Sequence, residues 1–190
     1  MELFHVSYKP VENFSPRVPA NRAEREDCEI PRICFAESIV GCINAKPSGI
    51  CPILSGLTHH IPVALYVYSI QTEDYGSDVL MPPICVQEIL HCPDALANCE
   101  YALLCKPKNI REQVFCVKDV VLRKNGYSVQ NLVLEENPKD ADVHILTQLT
   151  QFVNLRKGLH NILPEQILLQ IPDKIAEVIS TIRKDEKEYG

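Results

Sequence analysis

The chain has 190 residues, a formal net charge of −6, 46% hydrophobic residues and nine cysteines. That length suits one full-sized domain, alone or with a small appendage, and it supports an apolar core without covalent staples. The acidic balance argues against nonspecific binding to a phosphate backbone, which needs clustered Lys and Arg, and no apolar run approaches the roughly eighteen residues of a membrane-spanning helix.

The opening segment Leu3-Phe4-His5-Val6-Ser7 alternates with a two-residue period and predicts a strand with His5 and Ser7 on one face and Phe4 and Val6 on the other. Such a strand offers a polar site backed by a core. Alternatively, His5 is a partly buried imidazole satisfied by a carbonyl. With no secretory leader pattern at the start, and with cysteines scattered through apolar runs such as Arg32-Ile33-Cys34-Phe35-Ala36, a reducing, cytoplasmic setting with free thiols is expected.

Residues 8–31 carry prolines and charges without an apolar period and read as a long loop. Within it, Pro16 and Pro19 stiffen the backbone around Arg17, which could turn its guanidinium to a phosphate or be solvated like any surface Arg. Residues 32–36 predict a buried strand and 37–45 a short helix stopped by Lys46-Pro47-Ser48-Gly49. The stretch 49–61 reads as loop. It holds Cys51, His59 and His60, but no Cys-x-x-Cys or paired-ligand spacing accompanies them, so no metal site is expected.

Residues 63–70, β-branched and aromatic, predict the central strand, and Pro82-Pro83 opens a short helix through Leu90. Strands are expected at 100–105 and 111–117, joined as a hairpin through Lys106-Pro107-Lys108-Asn109. A second hairpin is expected over 120–136, where Asn125-Gly126 suits a tight two-residue turn. From residue 139 the apolar spacing is helical, as in Val143, Leu146, Leu149 and Val153. The fold class expected is α+β: a mixed, mainly antiparallel sheet core with short helices over 1–138 and a C-terminal helical extension, 139–190, packed on it.

Three segments in order, Leu3-Phe4-His5-Val6-Ser7, Arg32 to Ser38 and Asn109 to Phe115, resemble the layout of ADP-ribosyltransferase-like domains over about residues 1 to 120. The likeness is greatest to small phage-type members, including anti-CRISPR ADP-ribosyltransferases. In that family a His on the first strand, a polar or aromatic position at the second strand and following helix, and an acid on a later strand converge on NAD. The resemblance implies NAD as substrate, His5 and Glu112 as catalytic residues, and His5, Ser7, Arg17 and Ser38 as the residues that bind it. A protein target is implied too. Ile39 and Val40 stand where many relatives place a Tyr that stacks on nicotinamide, a place Tyr66 or Tyr68 takes only if the fold brings it there. The alternatives are a catalytically inactive nucleotide-binding module and a protein-interaction module. For Glu112 itself, the other expectation is a strand carboxylate paired with Arg111 or facing water.

Overall fold

A computed structural model describes residues 1–20, 23–46, 49–58, 63–126 and 128–136. The expected helical extension from 139, and His59 and His60, lie outside the described residues. Seven strands form one sheet: β1 (Glu2–Ser7), β2 (Ile33–Ala36), β3 (Val63–Gln71), β4 (Leu80–Met81), β5 (Glu100–Leu103), β6 (Arg111–Leu122) and β7 (Val129–Glu136). Their order is β4-β5-β2-β1-β3-β6-β7, and every pair is antiparallel. With four short helices, α1 (Ile39–Ala45), α2 (Cys51–Thr58), α3 (Pro83–Ile89) and α4 (Ala95–Asn98), the architecture is α+β, as the sequence pattern suggests.

The two faces of the sheet are covered differently. Phe4, Val6, Leu65, Val67, Phe115 and Val117 pack with Ile43 of α1 and Ile53 of α2, and the β6–β7 hairpin adds Val129, Leu132 and Leu134 to this layer. Asn44 of α1 ties it down, donating through Nδ2 to the Val129 carbonyl at 3.1 Å and accepting the Val129 N–H at 2.8 Å. On the opposite face the loop after β1 lays Val11 and Phe14 over Ala64, Tyr66, Tyr68 and Cys116. Among the described residues it is this loop, not a helix, that covers these side chains.

Three local expectations need correction. Residues 51–58 are helical rather than loop, because Pro52 sits in the first turn and Ile53, Leu54 and Leu57 recur at helical spacing and pack on the core. The strands at 100 and 111 do not form a hairpin. Both edges of β5 are taken by β2 and β4, while β6 pairs with β3 and β7, so the connection crosses the sheet. The Tyr75 hydroxyl pins that crossing by accepting the Lys108 N–H at 2.7 Å and donating to the Lys108 carbonyl at 3.0 Å. The hairpin over 120–136 does form, on a β6 that runs unbroken from Arg111. Its connection is longer than two residues: the Gly126 N–H bonds the Arg123 carbonyl at 2.9 Å, and Gly126 rather than Asn125 takes the positive φ, +71°.

One buried cation organises the segment before β2. The Arg32 side chain is fully buried, pairs with Glu26 and Asp27, and donates to the Ile30 carbonyl at 2.9 Å. Asp27 in turn accepts the N–H of Ile30 at 2.7 Å. Burying a guanidinium is tolerable only with such a set of acceptors, and here they fix the path of the chain into β2.

Candidate functional site

β1 and β2 are in register only at Phe4 and Ala36. In an extended strand the N–H and C=O of alternate residues face the same edge, so β2 presents Ala36 and Cys34 to β1, and Arg32 just before it continues that edge. Toward the start of β2 those groups take other partners. His5 Nδ1 lies 2.8 Å from the Cys34 carbonyl oxygen, and the N–H and C=O of Arg32 exchange hydrogen bonds with Arg17 of the loop at 3.0 and 3.2 Å. The sheet therefore opens into a seam between β1 and β2, bridged by a side chain and a loop. Val6 turns its N–H and C=O to the same side of β1, beyond the last residue in register.

His5 stands in this seam. A carbonyl only accepts, so Nδ1 carries the proton and Nε2 is left as an acceptor in the neutral ring. Burial holds the imidazole below its usual 6.5, and the charges of Lys46 and Arg17 push the same way, against the hydrogen bond to Cys34. The ring is half-buried among aromatics: Phe14 meets it edge-on at 5.4 Å between centroids, Phe35 at 5.8 Å, and Tyr68 lies tilted at 6.4 Å. The structure thus sets Nδ1 against a carbonyl, the second of the two expectations for His5, and leaves Nε2 as the ring's remaining acceptor.

Register sets which of the expected residues meet. His5 is opposite Tyr68, and Tyr68 opposite Glu112, so the three side chains form one row on the loop-covered face. At about 4.8 Å per strand, His5 and Glu112 are about 10 Å apart along the backbone, with Tyr68 between them. Tyr68 is the tyrosine the fold brings to His5. It is buried, its hydroxyl accepts the Val11 N–H at 2.8 Å, and Phe14 packs edge-on against its ring at 4.6 Å. Glu112 is exposed at the start of β6 and has no ion pair among the described residues.

Ser7 shares this face one pair along, opposite Tyr66, and its Oγ accepts the Lys9 N–H at 3.3 Å. Arg17 is exposed, joined by its backbone to Arg32 just before β2, and its charge acts on His5. Ser38 is not brought to His5. It caps α1, its Oγ accepting the Gly41 N–H at 3.0 Å, and with Phe4, Ile39, Leu132 and Leu134 it lines a shallow groove on the helix-covered face.

Sequence reasoning missed Glu100. It opens β5 opposite Ala36, is 7% exposed, and its Oε1 is buried without a hydrogen-bond partner. Burial first, then the nearby charge of Asp94, raises its carboxyl to about 7. Its row, Glu100, Ala36, Phe4, lies on the helix-covered face, opposite to that of His5. An acid at the first position of a strand that pairs with Phe-Ala-Glu was the available signal, but its burial depends on α4 and β2 together. Among the described residues no group of His, Cys, Asp or Glu side chains is arranged to hold a metal, and no helix is long and apolar enough to cross a membrane.

Comparison with protein-family models, with curated proteins and with solved structures finds no match to this chain.

Proposed function

We propose that this chain is an ADP-ribosyltransferase-like enzyme that takes NAD as substrate and modifies a macromolecular target, a protein. What supports the reading is the row His5, Tyr68, Glu112 on one face, beside the point where β1 and β2 part. The chemistry needs three things there. A neutral imidazole fixed through Nδ1 offers Nε2 as acceptor to a ribose hydroxyl. An aromatic floor suits a planar ring, and Tyr68 offers one once Phe14, which packs on it, moves aside. A carboxylate offsets the positive charge that grows on the ribose carbon as the bond to nicotinamide breaks. A reducing, cytoplasmic setting goes with this reading, since all nine cysteines are free thiols.

Glu112 is the carboxylate for the last role because it shares the face of His5; Glu100, although buried with an unpartnered oxygen, lies on the opposite face of the sheet. The full chain incubated with NAD should release nicotinamide. Glu112→Gln should leave NAD binding intact and slow release by at least about a hundredfold, the scale of losing one electrostatic stabiliser. If Glu100→Gln has that effect and Glu112→Gln does not, the row through His5 is not the site, since Glu100 lies on the opposite face.

A second reading, a nucleotide-binding module without turnover, is favoured by Phe14, whose ring fills the space over His5 and Tyr68. NAD bound by the parent chain with no nicotinamide released would select it.

A further inference from the structure

We propose that residues 9–17 form a gate over His5, with Phe14 as its plug, the Tyr68 hydroxyl as its latch and the Arg17–Arg32 bridge as its fixed end. At one end of the segment the Lys9 N–H bonds Ser7 Oγ at 3.3 Å, just past β1. At the other, Arg17 and Arg32 exchange two backbone hydrogen bonds. Between these ties, among the described residues, one hydrogen bond joins the segment to the sheet: the Val11 N–H donates to the Tyr68 hydroxyl at 2.8 Å. The rest of the hold is the packing of Val11 and Phe14 on the side chains of β3. Pro10 and Pro16 restrict the backbone near both ends, which favours movement of the piece between them as one unit.

Beneath the plug lies an unsatisfied acceptor. His5 Nδ1 is held by the Cys34 carbonyl, and among the described residues Nε2 has no hydrogen-bond partner. Phe14, edge-on to the imidazole at 5.4 Å and to Tyr68 at 4.6 Å, cannot supply one, because a phenyl ring carries no N–H or O–H. Packing an apolar ring against that nitrogen disfavours the closed state. Exposing the Phe14 ring and freeing the Val11 N–H disfavours the open one. The two costs oppose each other, and opening leaves intact the ladders that join β3 to β1 and β6. What replaces the plug is a flat group of about the size of a phenyl ring that also brings a donor for Nε2. The gate controls access to His5 whatever enters, so it stands apart from the NAD reading.

Native-state hydrogen exchange of the full chain, followed by NMR in low urea, tests it with no ligand present. The Val11 amide should exchange through an opening with little urea dependence, while the amides of β3 follow the steep dependence of global unfolding. If Val11 shares the urea dependence of β3, there is no gate. Access to Nε2 is read with diethyl pyrocarbonate, which acylates a neutral imidazole nitrogen, the modified histidines being identified by mass spectrometry. His5 should react at least about tenfold more slowly than the exposed His91. Tyr68→Phe, which removes the latch and keeps the ring, should speed His5 by about threefold, the scale of one lost hydrogen bond, and Phe14→Ala by more, with His91 unchanged in both. Protected β3 amides in the variants separate an open gate from lost folding, and if a variant loses them the Val11 exchange of the parent decides. His5 as reactive as His91 in the parent, or no faster in the folded variants, overturns the gate. A gate found by these measures in a chain that binds no NAD leaves the gate standing and removes that reading.

Discussion

His5 Nδ1 donates to the carbonyl oxygen of Cys34 at 2.8 Å, so a side chain of β1 holds the edge of β2 where backbone register between the two strands has ended. The same bond fixes the tautomer. It turns a residue that could have been a core histidine into one with an oriented acceptor at Nε2.

The first expected outcome concerns protonation. Burial, Lys46 and Arg17 lower the His5 pKa below 6.5, so below that value the unfolded chain binds the proton more readily than the folded one. Stability should therefore fall as pH drops from 6.5 through the folded value, and His5→Gln should flatten that part of the acid limb. Nitrogen-detected NMR should show Nδ1 protonated at pH 7. A His5 titration at or above 6.5 would contradict the arrangement.

Phe14 covers the site from the loop, edge-on to His5 at 5.4 Å and to Tyr68 at 4.6 Å. Removing the ring in Phe14→Ala should cost about 1–3 kcal/mol from lost burial and aromatic contacts. It should also admit water and move the His5 pKa up toward 6.5. Urea unfolding and the NMR titration read these two effects separately, and an unchanged His5 titration would show that Phe14 does not shield the imidazole.

Glu100 gives the opposite pH signature to His5. Its folded pKa, about 7, lies above the 4.5 of the free group, so between those values the folded chain holds the proton that the unfolded chain releases. Stability should decline as pH rises from 4.5 through 7. Glu100→Gln should remove that decline, gaining about 3 kcal/mol above pH 7 at about 1.4 kcal/mol per pH unit. Denaturation curves at pH 5 and pH 8 test this, and equal loss at both values would point to damaged packing instead.

Much of the fold was legible because its signals are local. The alternation of Leu3 to Ser7, the β-branched run 63–70 and the proline start of α3 each sit within one element and match the structure. α2 was hidden because Cys51-Pro52 and Ser55-Gly56 look like loop residues, and only the packing of Ile53 and Leu57 on the sheet reveals the helix. The pairing of β5 was hidden for a different reason. Which edge a strand joins is decided by strands far away in the chain, and a turn-like Lys106-Pro107-Lys108-Asn109 cannot report it. The site divides along the same line. His5 and Ser7 share a face because they are two residues apart, but the row through Tyr68 to Glu112, the placing of Ser38 on the other face and the burial of Glu100 are all products of register.

The most direct test is calorimetric titration of the full chain with NAD, for the parent and for His5→Ala. NAD should bind the parent, and His5→Ala should weaken binding by about 1–3 kcal/mol, the usual loss when a buried hydrogen bond is removed. No heat of binding at about millimolar NAD, where even a contact worth only about 4 kcal/mol would register, would contradict the account.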